Sequence, residues 1–280
     1  MTQLYSDLRM LSNKVDMNWL NFGRQPSPIG SCKNPGVSHP TLEIPGLANV
    51  RDLGGLQRHD GSTTPHGVFI RSDAPDLVPP QGWELLRERG VATVIDLRRP
   101  DERAVGVPDG FDLIAVDLDG EERDFWEPLE ADGRWGTPLY YVPHLTELPH
   151  RMARVLQAIA SAPRGGILFH CAAGWDRTGL VTMMLLRALD VTTEAARSDY
   201  VASFANATAM ETLRRRSQHA EERRAVLARF GHTPESAFST AYEAIDLDAW
   251  SRSAGLDEDA LLTLRTWRSS VPTDRDPTPS

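Results

Sequence analysis

The chain has 280 residues, 40% of them hydrophobic, enough for one substantial core and a small extra lobe, and carries a formal net charge of −9. That acidic balance argues against general affinity for nucleic acid or an anionic membrane surface, so any anion site has to concentrate positive charge locally. No apolar run approaches the length of a membrane span, residues 1–30 lack a charged-then-apolar leader pattern, and two cysteines, Cys32 and Cys171, are too few for a disulfide framework. A soluble protein of a reducing, cytoplasmic compartment is expected. Of the 30 basic residues only Lys14 and Lys33 are lysines, a bias expected of a high-GC bacterial genome.

In chain order, Leu4, Leu8, Leu11 and Val15 recur at helical spacing, and the Pro- and Gly-rich stretch 23–40 reads as an extended arm, so residues 1–40 are set apart from a domain over 41–270. Asn49-Val50-Arg51-Asp52-Leu53-Gly54-Gly55 predicts a short strand ending in a glycine turn, and Gly67 to Ser72 the next strand. Pro80 to Gly90 predicts a helix with Trp83, Leu85 and Leu86 on its buried side, and Val91 to Arg98 an apolar strand of a parallel sheet. The charged turn Pro100-Asp101-Glu102-Arg103 reads as a solvated rim. Phe111 to Leu118 predicts another strand, followed by a long acidic loop over 119–145.

The stretch with chemical content comes next. Gly166-Ile167-Leu168-Phe169 reads as a buried strand, His170 to Gly179 as a tight loop, and Leu180 to Leu186 as the body of a helix. A strand feeding small residues into a helix N-terminus makes an anion site, because unpaired N–H groups and the positive dipole end converge there. The N–H groups of Ala172, Ala173, Gly174, Trp175, Asp176 and Arg177 can point inward around a tetrahedral dianion. Arg177 can fork onto two of its oxygens as lysine cannot. The same field favours a Cys171 thiolate, able to attack phosphorus in line, and Thr178 is placed to donate to the sulfur. The plain alternative for Cys171 is a buried inert thiol.

His-Cys-x5-Arg-Thr-Gly resembles the signature of the cysteine-dependent protein tyrosine phosphatase superfamily. With Asn49-x-Arg51-Asp52-Leu53-Gly54-Gly55, the strand ending in Arg71-Ser72, and Asp96-Leu97-Arg98, the chain is similar to the bacterial and fungal tyrosine/serine phosphatase family. The resemblance implies a three-layer α/β domain with a mostly parallel sheet and the signature loop at the carboxyl ends of its strands. It implies phosphate monoester hydrolysis through a phosphocysteine, with Cys171 as nucleophile, Arg177 holding phosphate and Asp176 as general acid, and no cofactor. Substrates are then a phosphotyrosyl protein or a small phosphate monoester; a phosphate-binding pseudoenzyme is the alternative of a different class.

Several positions stay open. The chain has no Trp-Pro-Asp loop, but Asp117, Asp119 and Asp124 compete with Asp176 as general acid by location; the plain alternative for Asp176 is a dipole-stabilised helix start. Arg51 and Asp52 either frame the phosphate pocket or form an ionic corner. Trp175 stands where the family carries lysine, and either stacks on a leaving group or packs against a neighbouring loop. Residues 194–230 read as almost wholly helical, with Arg214, Arg215, Arg216, Arg223 and Arg224 on polar faces. By resemblance this stretch is the place for a lid over the site. Amphipathic segments over 234–250 and 256–269 close the domain, and the tail from Val271 is expected to be disordered. No metal-ligand cluster is evident: His144 and His150 are isolated. Cys32 is a candidate partner for reversible protection of Cys171.

Overall fold

A computed structural model describes residues 42–103 and 106–266; the expected helix and arm of residues 1–40, with Cys32, and the tail from Val271 lie outside the described residues. Five strands, β1 (Arg51–Asp52), β2 (Phe69–Ser72), β3 (Val91–Asp96), β4 (Asp112–Ala115) and β5 (Gly166–His170), form one sheet in the order β1-β2-β5-β3-β4. β1 runs antiparallel to β2, and the remaining pairings are parallel. The helices are α1 (Pro80–Glu88), α2 (Arg123–Ala131), α3 (Tyr141–Glu147), α4 (Pro149–Ser161), α5 (Asp176–Ala188) and α6 (Thr193–Ala205), then α7 (Ala207–Arg214), α8 (Ala220–Arg229), α9 (Pro234–Glu243), α10 (Leu247–Ala254) and α11 (Glu258–Arg265). The expected α/β class with a mostly parallel central sheet is what the chain adopts.

The alternation of side chains divides the core in two. On β5, Ile167 and Phe169 join one apolar cluster and Leu168 the other; Phe69 and Ile95 side with the former, Ile70 and Val94 with the latter. Strands apolar on both faces must be covered on both, which places β5 at the centre. α1 closes the smaller cluster through Trp83 and Leu86. α4 and α5 pack into the larger one. α4 does so with a stripe, Met152, Val155, Leu156 and Ile159, whereas in α5 every residue but Asp176 and Arg187 is buried. None of the described helices is long and apolar enough to cross a membrane.

The structure overturns one sequence expectation and refines four others. Residues 119–145 are not a loop: they hold α2, a 3-10 turn at Pro138–Tyr140 and the start of α3. The apolar spacing that builds α2, with Phe125, Trp126 and Leu129 buried, is short and carries Pro128 inside it, so the acidic residues around it dominate the pattern. The stretch 194–230 breaks into three helices, with Asn206 between α6 and α7 and Arg215 and His219 in the left-handed region at φ 51° and 54°. The segment 234–250 is also divided, because Asp246 caps a new helix by accepting from the Ala249 N–H at 2.9 Å. The strand expected over 111–118 shortens to β4, and that over 49–55 to β1.

Candidate active site

Ser72 of β2 and Asp96 of β3 both lie in register with His170 of β5, so the carboxyl ends of three adjacent strands stop at one level. Directly beyond His170 the chain makes the 171–175 loop and enters α5. This is the crevice where open α/β sheets hold ligands. His170 is buried and its Nδ1 donates to the Cys171 carbonyl at 3.0 Å. Burial lowers its pKa, against the opposing pull of Asp96, so a neutral ring braces the Cys171 backbone.

The loop turns its carbonyls away from the crevice. Ala172 O accepts from the Ala74 N–H at 3.0 Å. Asn49 Nδ2 donates to Ala173 O and Gly174 O at 3.1 and 3.0 Å, and Arg71 Nη2 donates to Gly174 O at 2.7 Å. Gly174 adopts φ 65°, and a Cβ there would run into the backbone of Ser72 and Asp73, so this approach requires glycine. Among the described residues no acceptor holds the N–H groups of Ala172 through Arg177, which leaves them for an anion.

Cys171 (3% exposed), Ala172, Ala173, Asp176 and Arg177 line a cavity of about 1010 Å³. The Arg177 fork is engaged on one side by Glu102: Nη1 to Oε2 at 2.6 Å and Nη2 to Oε1 at 2.8 Å. Asp119 Oδ2 lies 3.2 Å from the same Nη1. Burial opposes the charge on Arg177, but the Glu102 hydrogen bonds and the proximity of Cys171 and Asp119 outweigh it and lift its pKa further. Glu102 responds in kind: burial alone would raise it, yet the Arg177 hydrogen bonds hold it at about 2. Glu102 was expected on a solvated rim; it is part of the site. Its only sequence signal is its place just past the end of β3, beside β5.

Of the candidate carboxylates, Asp119 alone among the three after β4 reaches the cavity. Asp124 is exposed on α2, and Asp117 turns back to accept from the Asp119 and Gly120 N–H groups at 3.1 and 3.0 Å. The Asp119 backbone is fixed from two further directions: Trp126 Nε1 donates to its carbonyl at 3.0 Å, and buried His144 Nε2 to Leu118 O at 3.1 Å. Asp176 meets the cavity too, but both its oxygens pair with Arg223 of α8, Oδ1 with Nη1 and Oδ2 with Nη2 at 2.9 Å. Burial opposes the Arg223 charge, and Asp176 overcomes it and raises the pKa.

The remaining candidates separate cleanly. The Trp175 side chain is fully buried and does not line the cavity; it packs edge-on against Phe204 at 4.7 Å, with the Arg223 guanidinium 4.6 Å above it. Its part in any anion cradle is confined to the backbone. Thr178 Oγ1 is buried without a hydrogen-bond partner among the described residues, so the expected bond to the sulfur is not formed. Arg51 and Asp52 neither line the cavity nor pair with each other: Asp52 caps the turn through the Gly54 and Gly67 N–H groups, and Arg51 Nε binds Asp199 at 2.6 Å. Arg71 joins the same Asp199 carboxylate, so Asp199, 0% exposed on α6, neutralises two buried guanidinium groups under the loop. The arginine run is not simply a solvated face. Arg214 of α7 pairs with buried Asp73 at 2.8 Å and Arg223 with Asp176, which fastens α7 and α8 beside the cavity.

A family model for the tyrosine phosphatase family matches residues 42–267. The chain belongs to that family. A protein of Cupriavidus necator provisionally named a tyrosine-protein phosphatase is 30% identical over 167 residues, covering 56% of this chain and 60% of the relative. A tyrosine-protein phosphatase of Nostoc commune is 31% identical over 127 residues (44% of this chain, 43% of the relative). The triple specificity protein phosphatase of Mycobacterium tuberculosis is 29% identical over 193 residues (58% and 68%). The chain thus matches 60% and 43% of the length of the first two tyrosine phosphatases. The cavity adds Glu102 and Asp119, from turns distant in sequence, to the Cys171, Asp176 and Arg177 of the signature loop.

Proposed function

We propose that the protein hydrolyses phosphate monoesters through a phosphocysteine on Cys171, without a metal ion, and that its substrates are aryl phosphates such as phosphotyrosyl protein. The observation that carries this reading is the pairing, in one cavity, of Cys171 with Arg177 at the mouth of a loop whose N–H groups are free and whose carbonyls are tied back. Phosphate oxygens would take those N–H groups and the open edge of the Arg177 fork, placing phosphorus over Sγ. Sγ attacks phosphorus as the ester P–O bond breaks; water then attacks the phosphocysteine and the S–P bond breaks, returning the thiolate. Trp126, Trp135 and Tyr140 line the same cavity, and Trp135 is 49% exposed, which supports a leaving group with an aromatic face. The scarcity of cysteines supports a reducing, cytoplasmic setting for the thiolate.

The test is phosphate release in EDTA by wild-type and Cys171→Ser protein, from an aryl phosphate and then from phosphopeptides, phosphoinositides, sugar phosphates and nucleotides. Turnover is expected to survive EDTA, to be lost in the variant, and to be greatest with phosphotyrosyl peptide. Phosphate binding without wild-type turnover on any of these would replace the enzyme with a recognition module.

A further inference from the structure

We infer that the proton for the leaving oxygen comes from Asp119 and not from Asp176, whose carboxylate is committed to Arg223 and serves to fasten α8 to the signature loop. This rests on the hydrolase reading above. A general acid needs a carboxyl that keeps its proton, reaches the reacting group and stays in place. Both oxygens of Asp176 are taken by one guanidinium, which is itself stacked over the Trp175 indole and donates to the Gly136 carbonyl, so neither oxygen is left for a leaving group. Asp119 has no such fork. It is 7% exposed, lines the cavity with Cys171, and stands 3.2 Å from the Arg177 nitrogen that would hold the phosphoryl group. The Asp117 carboxylate within the turn, the Trp126 indole of α2 and the His144 imidazole of α3 anchor its backbone.

The charges around Asp119 act in the required direction. Burial is the largest influence and raises its pKa; Glu102 and Asp117 add to that, while Arg177 and the more distant Arg99 oppose it, and the balance stands at about 6. Asp117 itself is shared with Arg151 at 3.9 Å. Tyr140, which faces the group from the 3-10 turn, is kept protonated by burial and by the nearby Asp176 and Asp119 charges, so it adds no charge of its own. In the first step the Asp119 proton passes to the leaving oxygen as the P–O bond breaks and the S–P bond forms. In the second, the Asp119 carboxylate takes a proton from water as its oxygen bonds to phosphorus and the thiolate departs. Protons and electron pairs balance over the two steps.

The experiment compares wild-type, Asp119→Asn and Asp176→Asn protein on aryl phosphates of graded phenol acidity, with kcat/KM followed against pH. Rates that need a protonated acid fall as pH rises through its pKa. Asp119→Asn is expected to lose about 10²–10³ in kcat/KM with weakly acidic phenols, to approach wild type with the most acidic phenol, and to lack the alkaline fall. Asp176→Asn is expected to keep that fall and to show no dependence of its defect on the leaving group. Should Asp119→Asn fail to fold, Glu102→Gln supplies the answer: without the Glu102 charge, the alkaline fall moves to lower pH if Asp119 is the acid. An alkaline limb that disappears in Asp176→Asn, or that Glu102→Gln leaves in place, overturns the assignment while wild-type turnover still stands. Absence of wild-type turnover instead removes the hydrolase reading itself.

Discussion

Arg177→Lys protein is expected to turn over aryl phosphate with kcat/KM reduced by about 10³, close to the loss on removing a hydrogen-bond donor aimed at transition-state charge. The reason lies in how the fork is held. Glu102 takes one N–H from each terminal nitrogen at 2.6 and 2.8 Å, which fixes the guanidinium plane at the cavity wall before substrate arrives. An ammonium keeps the charge but has no plane for Glu102 to fix, and it cannot span two phosphoryl oxygens. Steady-state kinetics on one aryl phosphate, with inorganic phosphate as competitor, separates binding from catalysis: both weaken if Arg177 holds the phosphoryl group. A Lys variant within tenfold of wild type would mean that the loop N–H groups suffice and that Arg177 is structural.

The second large effect is on stability and arises away from the cavity. Asp199→Ala is expected to cost about 3–5 kcal/mol, the usual penalty for removing one partner from a buried charge cluster. Asp199 accepts from Arg51 Nε at 2.6 Å and from Arg71, and its own carbonyl takes Arg51 Nη2 at 2.7 Å; without the carboxylate two guanidinium groups stay buried and face one another. The strain on Arg51 is visible even in the intact cluster, where burial first and Arg71 second lower its pKa to about 10 despite Asp199. Arg71 also grips the Gly174 carbonyl, so the defect reaches the loop. Denaturant unfolding of the two proteins reads the cost directly. Adding Arg51→Met to Asp199→Ala should return part of it, since one unpaired charge is then gone. An Asp199→Ala midpoint equal to wild type would show that the cluster is not needed for the fold.

What the sequence revealed and what it hid follow from the range of the interactions. The strand, loop and helix around Cys171 are legible because their signals are local: an apolar run, small residues, a glycine that the left-handed turn demands, and a second apolar run. The residues that complete the site are long-range partners. Glu102 meets Arg177 across 75 positions of chain and Arg223 meets Asp176 across 47, and no local pattern marks either. Glu102 follows β3, the neighbour of β5, and Asp119 follows β4 on the far side of β3, so sheet order, unknown from the sequence, is what brings them together. Asp119 was one of three aspartates within eight positions, and only the turn that Asp117 caps decides which of them faces inward. The helix α2 escaped because Pro128 and a run of acidic residues obscured three buried side chains.

The most direct measurement is rapid acid quench of wild-type protein mixed with an aryl phosphate, followed by peptide mass analysis. One phosphoryl group on the peptide that carries Cys171, formed at least as fast as product phenol and absent from Cys171→Ser protein, is the result expected of thiolate attack. Sustained phosphate release with no phosphorylated Cys171, or with the phosphoryl group on another side chain, would contradict it.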